Sequence, residues 1–71
     1  MIEELLKTNE ILLNKHKNDP YLHQKHTLIK RLLLEPDCFL KMNISDAYSI
    51  LRALNIAEND LFSVYQKLIQ R

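Results

Sequence analysis

Apolar residues recur at helical spacing along most of this 71-residue chain. In the first segment the series consists of Ile2, Leu5, Leu6, Leu12 and Leu13, and His16 continues it. Spacings of three and four residues place such side chains on one face of an α-helix. The pattern predicts a first helix from about Ile2 to Lys17, with an apolar stripe that Asn9 interrupts.

The next apolar series predicts a second helix from Pro20 to about Leu34. Asp19 is a good N-cap, and proline suits the first helical position because its missing N–H has no intrahelical partner there. Pro36 disfavours helical geometry at Glu35 and so ends the helix. The expected inner face carries Leu22, Ile29, Leu32 and Leu33, flanked by Tyr21 and Leu28. The short connection makes the first two helices an antiparallel hairpin.

The C-terminal half contains two tetrads that begin twelve residues apart, Asn43-Ile44-Ser45-Asp46 and Asn55-Ile56-Ala57-Glu58. In each, the asparagine can cap a new helix, and the acid three residues later favours its positive N-terminus. The tetrads predict two successive helix starts, with Asn55 ending one helix and opening the next. The apolar stripes are Ile44, Ala47, Tyr48, Leu51 and Leu54, then Leu61, Val64, Tyr65, Leu68 and Ile69. A brief helical turn is expected over Pro36–Lys41.

The chain contains no glycine, which disfavours folds that depend on tight hairpins or phosphate-binding loops. We therefore expect a single all-α domain over residues 1–71. Its four helices form an antiparallel hairpin followed by a short helix-turn-helix-like pair. No apolar run approaches the ~20 residues of a membrane span. The acidic start at Glu3 and Glu4 and the single Cys38 favour a cytoplasmic protein.

Residues 47–66 resemble the helix-turn-helix pattern of DNA-binding proteins. The apolar positions that carry the resemblance are Ile50, Leu54, Ile56, Leu61 and Val64. Asn55 stands where glycine is usual, and Leu51 stands where a small residue is usual. Glu58 and Asp60 would face phosphates at the start of the second helix, so DNA binding is expected to be the less favoured function.

The histidines form the main candidate for a metal site. His23 and His26 lie three residues apart on one helical face, and His16 can approach across the hairpin turn near Asp19. A tetrahedral site needs more ligands, and Lys25 would repel a cation. We therefore expect exposed polar residues near a turn, with no metal and no cofactor.

Cys38 is the candidate nucleophile, but Asp37 beside it disfavours a thiolate and no histidine lies close in sequence. We expect no catalytic residue and no enzymatic activity.

Large apolar residues outside the main stripes indicate a surface for partners. They are Ile11, Leu34, Ile50 and Phe62, one on each predicted helix. A 71-residue domain cannot enclose every side of four helices, and a contiguous apolar patch marks a binding surface. The occupant is either an amphipathic partner helix or a second copy of the chain. The sequence thus favours a small non-enzymatic adaptor or regulator, with the helix-turn-helix DNA-binding regulator as the alternative.

Charge is unevenly distributed along the chain. Between Lys15 and Arg31 there are five bases and one acid, and between Leu32 and Gln66 there are two bases and five acids. These charges either cover solvated helix faces or form a weakly bipolar surface that steers an acidic partner.

Overall fold

A computed structural model describes residues 1–70, and these residues form helices joined by short turns with no strand among them. The helices are α1 (Ile2–Lys15), α2 (Pro20–Leu34), α3 (Cys38–Lys41), α4 (Ile44–Ala53) and α5 (Leu61–Ile69), and a 3₁₀-helix (Glu58–Asp60) leads into α5. The all-α prediction is confirmed. Within the described residues, no helix is both long and apolar enough to cross a membrane.

The turn between α1 and α2 follows the capping rules. The Asp19 carboxylate accepts hydrogen bonds from the backbone N–H groups of Tyr21 at 3.1 Å and Leu22 at 3.2 Å. Pro20 occupies the first turn, so α2 has the predicted bounds. Helix α1 ends at Lys15, two residues before the predicted end, because residues 16–18 form the turn that leads into Asp19.

The first of the two tetrads also acts as predicted. The side-chain oxygen of Asn43 accepts a hydrogen bond from the backbone N–H of Asp46 at 2.8 Å and so caps α4. The expected brief turn is the one-turn helix α3. Asp37, the residue before α3, has a left-handed φ of 58°.

The second of the two tetrads does not act as predicted, because Asn55 ends α4 but does not cap α5. Its φ of 65° is left-handed, and the backbone N–H of Ile56 reaches back to the carbonyl of Leu51 at 3.0 Å. The N–H of Asn55 bonds the carbonyl of Arg52 at 3.0 Å, which completes a Schellman motif. Helix α5 begins six residues later, at Leu61, too far along the chain for Asn55 to cap it.

The core takes buried apolar side chains from every α-helix of the described chain. They are Leu5 and Leu12 of α1, Ile29 and Leu33 of α2, Cys38 and Phe39 of α3, Ala47, Ile50 and Leu51 of α4, and Leu61 and Leu68 of α5, with Leu54 after α4. The buried stripe of α4 contains Ala47, Leu51 and Leu54 as predicted and differs from the prediction at two positions. Ile44, expected in the stripe, is 50% exposed, whereas Ile50, expected outside it, is 8% exposed.

We predict that Asn55→Val lowers the free energy of unfolding by about 1–2 kcal/mol, because a β-branched residue resists left-handed geometry. For a domain of this size, that loss lowers the melting temperature by roughly 4–16 °C. Thermal unfolding followed by circular dichroism measures the change. Asn55→Gly is the matched control and should melt at or above the wild-type temperature. An unchanged curve for Asn55→Val would contradict the left-handed turn.

Candidate functional site

An open apolar groove lies between α2 and α4. Its volume is about 360 Å³. Helix α2 contributes Tyr21, Gln24, Lys25, Leu28 and Ile29, and helix α4 contributes Ser49, Ile50 and Ala53. The Ser49 hydroxyl donates to the backbone carbonyl of Ser45 at 3.0 Å, so its proton is already engaged within α4. The groove therefore offers mainly apolar contacts to an occupant.

The groove continues towards the other end of α4. A second concavity of about 320 Å³ shares Ser49 and Ile50 with the first and adds Leu32, Met42 and Asp46. Tyr21 therefore lies at the end near Ala53, and Leu32 lies at the end near Asp46. The two helices follow the groove in opposite directions. We call the two concavities together the α2–α4 groove.

One exposed apolar row borders this groove. Tyr21, Leu28 and Leu32 are 72%, 50% and 38% exposed. Their spacing of seven and four residues places them on one side of α2, next to the buried side that carries His26 and Ile29. The sequence contained this signal as a helical series, but Leu32 was predicted to face the core and the other two only to flank it.

The predicted partner residues do not all have the exposure expected of them. Ile11, Leu34 and Phe62 are exposed, at 67%, 62% and 58%. They lie on α1, α2 and α5, and Leu34 lines a separate pocket with Ile2 and Leu68. Ile50 belongs to the core and forms part of the floor of the α2–α4 groove. The groove therefore contains one of the four predicted residues.

A buried polar pair joins α1 to α2. Asn9 is fully buried and His26 is 4% exposed. The Asn9 side-chain nitrogen donates to the backbone carbonyl of His26 at 2.8 Å, and the Asn9 side-chain oxygen lies 2.8 Å from Nδ1 of the His26 ring. Asn9 does not interrupt the stripe of α1 as predicted. It lies within the buried stripe between Leu5 and Leu12.

This geometry fixes the proton on the His26 ring. A backbone carbonyl only accepts, so the amide nitrogen of Asn9 must face it and the amide oxygen must face Nδ1. Nδ1 therefore carries a hydrogen. The ring of His16 stacks on that of His26 with centroids 6.0 Å apart and planes at 17°. Burial lowers the pKa of His26, and the nearby charges of His16 and Lys25 lower it further.

The three histidines near the turn between α1 and α2 differ from the prediction of exposed polar residues. His26 is buried, His16 is half-buried and only His23 is exposed. Within residues 1–70, no group of three or more His, Cys, Asp or Glu side chains is placed to hold a metal ion. Cys38, the candidate nucleophile, is buried in the core.

The helix-turn-helix-like pair carries a polar cluster on its outer side. Arg52 donates from Nε to Glu58 at 2.8 Å and from Nη2 to the same carboxylate at 3.4 Å. This hydrogen bonding raises the pKa of Arg52. The guanidinium carbon lies 5.8 Å from the ring centroid of Tyr48, which meets Tyr65 edge to face at 5.8 Å. The cation of α4 is therefore already paired with an acid of the following turn.

Comparisons with protein-family models, with curated proteins and with solved structures found no match for this chain.

We predict that the free energy of unfolding decreases as pH falls below about 6.5, the ordinary pKa of histidine. Below that value the unfolded chain protonates at His26 while the folded chain resists protonation, so the unfolded state is favoured. Urea unfolding between about pH 7.5 and pH 5 stays above most carboxylate titration and measures the slope. His23→Gln, which changes an exposed histidine of the same helix, should retain the His26 contribution. A His26 pKa at or above 6.5, measured by NMR, would contradict the predicted loss of stability in mild acid.

We predict that Asn9→Ala lowers the free energy of unfolding by about 1–3 kcal/mol, since it leaves a buried ring N–H without a partner and removes the side-chain hydrogen bond to the His26 carbonyl, which keeps only its helical bond. Chemical unfolding followed by circular dichroism gives the value. Asn14→Ala makes the same change at an exposed position of α1 and should cost less than about 0.5 kcal/mol. Equal effects of the two substitutions would mean that the buried pair contributes nothing.

Proposed function

We propose that this protein is a small cytoplasmic adaptor or regulator without enzymatic activity, and that it binds proteins through helix–helix contacts at the α2–α4 groove. The observation that carries the proposal is the exposed row of Tyr21, Leu28 and Leu32 beside an open apolar groove. Apolar side chains that follow one helix beside a groove are typical of surfaces that receive an amphipathic helix.

The length of the row suits a short helix. Tyr21 and Leu32 are eleven residues apart, which corresponds to about 16 Å along the axis of α2. A partner helix of about three turns covers that length. Full burial of a large apolar side chain contributes about 1.5–3 kcal/mol, and these three are already partly buried. Since a micromolar complex requires about 8 kcal/mol, the groove floor must also contribute.

The charges of the C-terminal pair give less support to the alternative, a DNA-binding regulator that uses residues 47–66. Glu58 and Asp60 precede α5, and the guanidinium of Arg52 bonds the Glu58 carboxylate. Within the described part of α5, Lys67 is the basic residue. Phosphate binding requires several free Lys or Arg side chains, so this pair is better suited to packing than to DNA.

We predict that Leu28→Asp abolishes partner binding while preserving helicity, because it places a charge at the middle of the groove on a half-exposed position. The immobilised variant and wild type are exposed to extract from the native source, and captured proteins are quantified by mass spectrometry. The expected result is at least one protein that wild type retains and Leu28→Asp loses. Circular dichroism verifies that both are folded.

Ile11→Asp is the matched control, since it makes the same change at an exposed apolar position of α1 outside the groove. It should capture the same protein as wild type. Loss of capture with Ile11→Asp, Leu34→Asp or Phe62→Asp, but not with Leu28→Asp, would assign binding to another surface. Enrichment of one duplex from random DNA would favour the helix-turn-helix alternative.

A further inference from the structure

The lining of the α2–α4 groove includes one cation and one anion, placed towards opposite ends. Lys25 lines the part that contains Ala53, and Asp46 lines the part that contains Leu32. Both charged residues are exposed, and within residues 1–70 neither has an ion-pair partner. The apolar part of the groove, which includes Leu28, lies between them. An occupant that follows the groove therefore meets a positive charge, an apolar stretch and a negative charge in that order.

The separation of the two charges follows from the opposite directions of the two helices. Lys25 lies seven residues before Leu32 on α2, and Asp46 lies seven residues before Ala53, which ends α4. Seven residues span about 10 Å along a helix axis. Lys25 and Asp46 are therefore separated by about that length along the groove. On a helix laid in the groove, side chains seven residues apart share one face and match this separation.

The charges also select a direction for such a helix. The N-terminal end of a helix is positive and its C-terminal end is negative, so an acid is favoured near the start and a base near the end. The acid of that helix meets Lys25 only when the helix starts at the end of the groove that contains Ala53. The base then lies towards Asp46, and the helix runs antiparallel to α4. One order of charges thus suits both the groove and the dipole of the occupant.

We propose that the α2–α4 groove binds an amphipathic helix of a partner protein, in which an acidic residue faces Lys25 and a basic residue seven positions later faces Asp46. Apolar residues three and four positions after the acid lie on the same face and contact the apolar stretch at Leu28. The inference rests on the proposed function of the groove in protein binding. It adds the charge order of the partner helix and its direction.

A display library of helical peptides tests the charge order. Each peptide has about four turns, fixed leucines along one face and random residues at two positions seven apart on that face. Peptides selected on wild type should have an acid at the first random position and a base at the second. The double variant Lys25→Glu/Asp46→Lys should select the opposite order. A peptide selected on wild type should bind the double variant about ten-fold more weakly, because both ion pairs become repulsive.

The matched control is the double variant Arg31→Glu/Glu3→Lys, which reverses one base and one acid at exposed positions outside the groove. It should select the same order as wild type. Glu3 lies in the first turn of α1, as Asp46 does in α4, so the two acid reversals are comparable. Circular dichroism verifies that each variant is folded. Lys25→Glu alone should lose the preference for an acid at the first position.

Three results would overturn the inference. The first is a selection on wild type that enriches no peptide. The second is an enriched set without this charge order, or with an order that reversal at Lys25 and Asp46 does not change. The third is a dimer of the chain, seen by sedimentation velocity and lost with Leu28→Asp, which would assign the groove to a second copy.

The outcome is separable from that of the proposed function. Leu28-dependent capture of a protein, without the charge order among selected peptides, retains the adaptor and overturns the inference. Selection of the ordered peptides without capture of any protein retains the charge order of the groove and removes the adaptor role. Failure of both experiments removes both.

Discussion

The paired hydrogen bonds between Asn9 and His26 determine how α1 and α2 fit together, and the remaining helices pack against that hairpin. An apolar seam between two helices tolerates small shifts, because one leucine replaces another at little cost. A buried amide does not, since its donor and acceptor find partners in one register only. Both bonds are 2.8 Å long, and no buried side-chain nitrogen or oxygen in the described chain lacks a partner. The polar pair therefore favours one register of α1 against α2 over the shifted registers that apolar contacts alone would tolerate.

The same register sets the outer surface of α2. Once His26 and Ile29 face inward, the helical period turns Leu28 and Leu32 towards the side where α4 runs past. Within residues 1–70 no element covers the apolar row itself, so Tyr21, Leu28 and Leu32 remain exposed. Helix α2 thus has two roles in the fold. One face completes the hairpin, and the adjoining face forms a wall of the groove.

Local rules predicted the parts of this fold that depend on a few neighbouring residues. The caps at Asp19 and Asn43 and the bounds of α2 follow from side-chain chemistry within a turn. The pairing of Asn9 with His26 spans seventeen residues, and helical periodicity carries no signal for it. The position of Ile50 depends on how α4 rotates against its neighbours, which its own sequence does not determine. The groove was missed for the same reason, since its two walls come from separate segments.

Lys25 and His26 are consecutive residues that face different environments, one in the groove and one in the hairpin interior. The positive charge of Lys25 is among the causes that lower the pKa of His26. A carboxylate held against Lys25 offsets that charge, so it makes protonation of His26 less unfavourable. By thermodynamic reciprocity, mild acid then tightens the binding of an acidic group at the groove. The charge of Lys25 thus connects the groove surface with the protonation of the buried His26 ring.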